Sequence, residues 1–338
     1  MSFRNLLLAV VSFGSLQASE DFCLPTENDF IFSNHQERFY MHTERFFEGE
    51  ASKPWMAGCY GYVRNMRRIN NNLVIGTRFH EGIDIKPLKR DTNNNPLDRI
   101  GAISAGKVVH VNTVSSKSNY GRYVVVEHQW EKTKVYSLYS HLSEITCQLD
   151  QKVEAGGELG IMGYSGRGLN RERSHLHLEL NLLITTRYDE WSKANGMINH
   201  HGIFNGINLS GCDIGQFYHE KKSNPELQFS EFIASQPVYF KVLTPGKGTP
   251  DFVKRYPWIC HGDTKDAQSW EISFSATGFP VAFKPSTKKV TKPYITSIRP
   301  SEEIPHQYQT RYLVSGIGNR ASLGSNGLKL VNMLMDNF

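Results

Sequence analysis

The stretch Ser174-His175-Leu176-His177-Leu178-Glu179-Leu180 constrains the fold more than any other part of the chain. From His175 on, polar and apolar side chains alternate through it without a break, a period that a helix cannot sort onto two faces, so it reads as a β-strand. Leu176, Leu178 and Leu180 then face a core, while His175, His177 and Glu179 share the opposite face. Two imidazoles side by side on so regular a strand make either a solvated edge or a metal-centred site.

The surroundings carry the same signature. Between Tyr60 and Leu183, short β-rich runs (GKVVHVN, RYVVVEHQW, KVYSLYSHL, ELGIMGYSG) alternate with Gly and Asn, which predicts an all-β domain. Lys89–Asn95 reads as a loop inside it, and Thr185–Asn195 as a short helix leading into a Gly/Asn-rich turn region, Gly196–Gly211. Beyond that boundary Glu226–Ser235 can form a helix, and QPVYFKVLTP, SWEISFSA, FPVAFKPS and PYITSIRP are strand-like runs broken by Pro and Gly. The expected fold is mainly β: a small antiparallel sheet domain, a second β-rich C-terminal unit and few short helices. A chain of 338 residues, 39% hydrophobic, has enough apolar side chain for two such units. The chain is expected to divide into a signal peptide over 1–18, an aromatic-rich, partly helical entry segment over 19–57, a first β-rich unit over 58–204 and an accessory unit over 205–338. The entry segment would dock on the unit over 58–204 or cover its groove. Trp258, Trp270, Phe274, Phe279 and Phe283 read as packing of the accessory unit.

The signal peptide rests on Arg4, the apolar run Leu6–Phe13 and the small-residue exit Ser15–Ser19, with Ala18 before the cleavage point. It places the mature protein in the periplasm or outside the cell. Glu20, Asp21 and Phe22 before Cys23 do not fit a lipoprotein site. Past the leader no apolar run approaches the roughly 20 residues of a spanning helix, so no transmembrane domain is expected. The net charge of +5 is too dilute to argue for nucleic acid. Five scattered cysteines with no CxxC pair exclude a cysteine zinc ribbon. Export would permit bridges such as Cys23 with Cys59 and Cys212 with Cys260, with one thiol left over.

Two further stretches bear on chemistry. In Phe79-His80-Glu81-Gly82-Ile83-Asp84-Ile85 a His and an Asp four apart, separated by a flexible Gly, suit a turn into a strand that brings N and O donors onto one metal; alone they also fit exposed surface groups. Tyr136–Ser143 is a strand ending in His141, which alone reads as a hydrogen-bonded structural residue.

Taken in order, H-x-x-x-D at 80–84, Y-x-H-L-S ending at Ser143, G-Y-S-G at 163–166 and H-L-H-L-E at 175–179 resemble the LytM/lysostaphin-type zinc metallopeptidases, the M23 family of peptidoglycan endopeptidases. The resemblance spans Gly58 to Leu183, with Gly61-Tyr62, AISAGKV at 102–108, YGRYVV at 120–125 and VEAGGELG at 153–160 as lesser marks. It implies that His80, Asp84 and His177 bind one Zn2+ ion, with water in the fourth place. It also implies that His141 and His175 flank the metal, one handling the proton of the attacking water and the other the oxyanion. Three protein ligands and one open position are what a catalytic zinc needs. The expected activity is a secreted zinc endopeptidase acting on peptidoglycan stem peptides or cross-bridges. The rival readings are a non-catalytic wall-binding regulator, such as an amidase activator, that uses the same groove, and a secreted protease acting on protein.

Other motifs carry less. His80-Glu81 begins like H-E-x-x-H, but the fifth residue is Asp84, and Gly82 opposes the helix that motif needs. Gly163–Gly166 lacks the G-x-S-x-G spacing of a nucleophile elbow and reads as a turn. A biotinyl or lipoyl carrier role is excluded because the turn MGYSG lacks the modified Lys. His200, His201 and His219 read as exposed, and the lysines of Lys284–Lys292 as a solvated loop.

Overall fold

The alternating strand Leu176–Leu183 lies inside an antiparallel sheet, paired along both of its edges. In the computed structural model, which describes residues 21–338, this sheet runs in the order Lys152–Val153, Gly106–Asn112, Tyr123–Trp130, Thr133–Ser140, Leu176–Leu183, Leu209–Cys212. The short strand Ile83–Ile85 pairs with the first half of Leu176–Leu183, on the edge whose second half takes Leu209–Cys212. The signal peptide expected over 1–18 lies outside the described residues.

Both faces of the sheet are buried. Leu176, Leu178, Leu180 and Leu182 join a core with Val124, Val126, Val135 and Tyr139, while Tyr123, Val125, Tyr136 and Leu138 form a second cluster on the opposite face. Every residue from Leu176 to Leu183 is buried, so the histidine-bearing face is not a solvated edge.

Before the sheet stands a long hairpin, Gly61–Asn70 with Leu73–His80, whose last residue is a predicted metal ligand. Its polar, arginine-rich arm lacks the apolar alternation that marks the other strands. The entry segment has single-turn helices at Phe30–Phe32 and Gln36–Arg38, a hairpin of Arg45–Phe47 with Glu50–Ser52, and a further short helix, Trp55–Gly58, at its end.

After the sheet, Tyr188–Ala194 is helical and the C-terminal strand-like runs form one four-stranded sheet, Pro280–Ser286, Ser269–Phe274, Phe240–Pro245, Tyr294–Ile298. The helices Ile214–Ser223 and Ser325–Leu334 are additions that the sequence pattern did not mark. Trp270, Phe274, Phe279 and Phe283 are buried in the same continuous core as the leucines of the central strand. Among the described residues no helix is long and apolar enough to cross a membrane.

The suggested disulfides are absent, since all five cysteines are free thiols. Cys212 lies opposite Leu180 in the central sheet, whereas Cys260 bridges to Phe283 of the C-terminal sheet. Cys23 backs onto the Ala102 carbonyl, and Cys59 closes the turn that leads into the long hairpin.

Candidate metal centre

Strand register assembles the site. His177 stands opposite Asp84 on one side and Ser140 on the other, so the residue after Ser140, His141, comes up against the same spot. His80 ends the long hairpin, and the two-residue turn Glu81-Gly82 carries the chain directly into Ile83–Ile85. Gly82 is there for space more than for flexibility. A Cβ on it would lie 2.3 Å from the Leu178 carbonyl oxygen and 2.9 Å from His177 Cε1.

His80, Asp84 and His177 are all buried. Asp84 Oδ1 lies 3.1 Å from His80 Nε2 and 2.9 Å from His177 Nδ1, and the two nitrogens are 3.1 Å apart. Each imidazole has its other nitrogen committed. His80 Nδ1–H donates to the Cys59 carbonyl at 2.8 Å, and His177 Nε2–H to Glu179 Oε1 at 2.8 Å. Three lone pairs therefore converge on one point, an arrangement that only a shared cation or a captured proton can stabilise. Ligands about 2.0–2.1 Å from a tetrahedral zinc lie roughly 3.3 Å from one another, close to the spacing here, so the donor set and its outer partners fit the ion.

The electrostatics agree. Burial acts to raise the Asp84 carboxyl, but His175, His80 and Arg64 overcome it and hold it well below the usual range. Burial drives His80 down to about 4. For His177 burial is outweighed by the hydrogen bonds to Asp84 and Glu179, which lift it to about 9.

His141 and His175 complete the group. His141 has φ +66°, a left-handed backbone that is uncommon for His and that turns the ring into the cleft. Its Nδ1–H donates to the Ser165 carbonyl at 2.9 Å, and that of His175 to the Arg173 carbonyl at 2.7 Å. Both present Nε2 toward the centre. The His175 Nε2 is 3.4 Å from Asp84 Oδ1, and the two rings meet edge to face at 4.8 Å. Burial and the neighbouring His175 and His177 hold His141 well below its ordinary value. The Ser165 Oγ donates to the Leu142 carbonyl.

Further residues extend the set. Arg64 clasps Asp84 Oδ2 at 2.5 Å, leaving Oδ1 as the free donor. Glu179 also accepts from the Tyr120 hydroxyl at 2.7 Å and from Asn181. Its place on the histidine face was visible in the alternation, whereas Arg64 had no such signal. Arg311, from the C-terminal part of the chain, reaches Glu81 beside His80 at 3.1 Å. A cleft of about 420 Å³ opens over the four histidines, with Tyr120, Arg78, Arg173 and Thr43 among its walls. A separate cavity of about 380 Å³ behind Glu81 contains none of them. Of the other histidines, His200 is exposed, but His201 is half-buried against His110 and Tyr123, and His219 is half-buried against Phe32.

Residues 78–189 match the model of Peptidase family M23. No curated protein matches the chain. Among solved structures it is similar to a peptidase M23 protein from Pseudomonas aeruginosa, at 28% identity over 30% of this chain and 37% of that one, with a TM-score of 0.23. The match thus spans little more than a third of that relative. The catalytic domain of a prophage-encoded M23 protein from Enterococcus faecalis matches at 28% identity over 30% of this chain and 68% of that one, with a TM-score of 0.24. The catalytic domain of the antimicrobial peptidase lysostaphin from Staphylococcus simulans matches at 18% identity over 50% and 88%, with a TM-score of 0.28. All five residues of the centre fall inside residues 78–189, the segment that matches the model of Peptidase family M23.

Proposed function

We propose that the protein is an exported zinc peptidase that hydrolyses a peptide bond of bacterial wall peptidoglycan. The observation that carries this reading is the convergence of three donor lone pairs, from His80, Asp84 and His177, at the floor of an open cleft. A zinc ion held there would supply Lewis acidity and a water acidified toward neutrality. The protein's own part is positioning and proton management. Arg64 restricts Asp84 to one oxygen, and Cys59 and Glu179 fix which nitrogen each histidine presents. His141 and His175, with Nδ1 occupied, offer only Nε2 to the cleft. A neutral Nε2 takes the proton of the attacking water, and a protonated one donates to the oxygen of the tetrahedral intermediate.

Within this reading 58–204 is the peptidase unit, 19–57 an entry segment that forms part of the cleft wall through Thr43 and Arg45, and 205–338 an accessory unit. The accessory unit supplies the edge strand Leu209–Cys212 and the Arg311 brace. Export rests on the pattern of residues 1–18.

The test is mass spectrometry of purified sacculi incubated with the zinc-loaded mature protein, beside His141→Ala and Asp84→Ala. New muropeptides with the wild type alone are expected. Unchanged sacculi despite bound zinc would favour the non-catalytic regulator, and a protein that binds no zinc would sink the site assignment.

A further inference from the structure

The cleft over the metal centre is lined by five arginines, Arg45, Arg64, Arg78, Arg167 and Arg173, against a single carboxylate, Asp84. Only Arg64 is paired with that carboxylate, and its Nε is spent on the Ala57 carbonyl. The other rim contacts go to main chain: Arg45 Nη1 to the Glu44 carbonyl at 3.0 Å, and Arg173 Nη1 to the Gly168 carbonyl at 3.4 Å. Glu44 and Glu172, which precede Arg45 and Arg173 in the chain, are turned to Lys53, at 3.5 and 2.9 Å.

Two features make this more than a solvated basic face. Arg64 and Arg78 stand directly opposite each other in the hairpin register, a like-charge cross-strand pair that works against the hairpin's own stability. Arg45 Nε and Arg173 Nε are each shielded from solvent with no hydrogen-bond partner. A guanidinium N–H removed from water without an acceptor is unfavourable, and it remains so until an anion enters. Burial and the fields of Arg64, Arg173 and Arg78 also press the Arg45 guanidinium downward, as expected of cations crowded round one opening.

We propose that Arg45, Arg78 and Arg173 form a subsite for a carboxylate of the substrate peptide beside the scissile bond. The planar donor fork of Arg matches a carboxylate bidentately. The enzyme would then select acidic wall peptides over neutral glycyl bridges, which offer the rim no anion. The proposal rests on the peptidase reading for what the cleft is for, but its test does not depend on turnover.

Two labelled peptides are compared, identical except that the residue flanking the scissile bond carries a free carboxylate or its carboxamide. Their dissociation constants are measured with the zinc-loaded full mature chain and its His141→Ala variant, which binds without cutting. The acid is expected to bind about 10- to 100-fold more tightly. Arg173→Gln and Arg78→Gln should each lower that ratio about tenfold. Arg78→Gln should melt no lower than the wild type, because it removes a like-charge pair, and so unfolding cannot account for the loss. Equal binding of acid and amide, binding of neither, or a ratio unchanged in the variants overturns the subsite. An acid preference without cleavage by the wild type would instead sink the peptidase reading and leave the subsite standing.

Discussion

Replacing Gly82 by alanine tests how the turn and the central strand share one space. The Gly82 backbone lies outside the left-handed region, so the new methyl meets no conformational penalty of its own. It meets atoms instead: the Leu178 carbonyl oxygen at 2.3 Å, with His177 Cε1 and Glu179 Cγ at 2.9 Å. The first contact is about 1 Å short of van der Waals separation. Leu178 cannot retreat, because it is paired to Ile83 on one side and Tyr139 on the other. The turn that links His80 to Asp84 must therefore move, by several times the ~0.2 Å that a metal–ligand bond tolerates. Zinc affinity should fall at least about 100-fold, beyond what the loss of one outer-shell partner typically costs. Stability without metal should fall by about 1–3 kcal/mol, as for an overpacked core. Competition against a chelating dye, with thermal melts in EDTA, measures both. If glycine served only flexibility, alanine would leave zinc binding intact and stabilise by about 0.4–1 kcal/mol, and that outcome would refute the steric argument.

Two other outcomes rest on single contacts. Arg311→Ala takes from Glu81, whose side chain is 15% exposed, its charged partner and leaves it the Gly211 N–H; because Arg311 itself is 36% exposed, the expected loss is limited to about 1–3 kcal/mol. Adding Glu81→Gln should recover most of it in a double-mutant cycle on urea midpoints, and full additivity would count against the brace. His128 is fully buried, its Nδ1–H donating to the Ala105 carbonyl and its Nε2 2.6 Å from Ser137 Oγ, and burial lowers it from 6.5 to about 4. The unfolded chain binds the proton more readily, so this contribution is complete above pH 6.5 and is lost as pH falls toward 4, by up to about 3 kcal/mol. Urea titrations in EDTA should show a shallower acid loss for His128→Gln than for the wild type, and parallel curves would disprove it.

Much of the fold is readable from local pattern, because period-two alternation is a property of neighbouring residues. Ser174–Leu180 declares its strand and its two faces, the run after Leu183 declares the helix Tyr188–Ala194, and the four C-terminal runs are the four strands of one sheet. Local pattern failed where the pattern itself was weak. The arginine-rich hairpin arm shows no alternation, and the helix Ile214–Ser223 has few apolar positions with which to mark a buried face.

The centre divides in the same way. By itself the sequence singled out the residues proposed to carry the chemistry, His80, Asp84, His141, His175 and His177, and placed His177 and Glu179 on one face. Tertiary structure alone decided that this face is buried, that His177 sits across from Asp84, and that Arg64 takes one carboxylate oxygen and leaves the other. It alone decided that the cysteines stay apart and that Arg311, 230 residues along the chain from Glu81, braces the turn after His80. The physical reason is the range of the forces. Alternation is fixed by the backbone geometry of adjacent residues, whereas strand register, close approach and charge pairing are decided by which distant surfaces pack together.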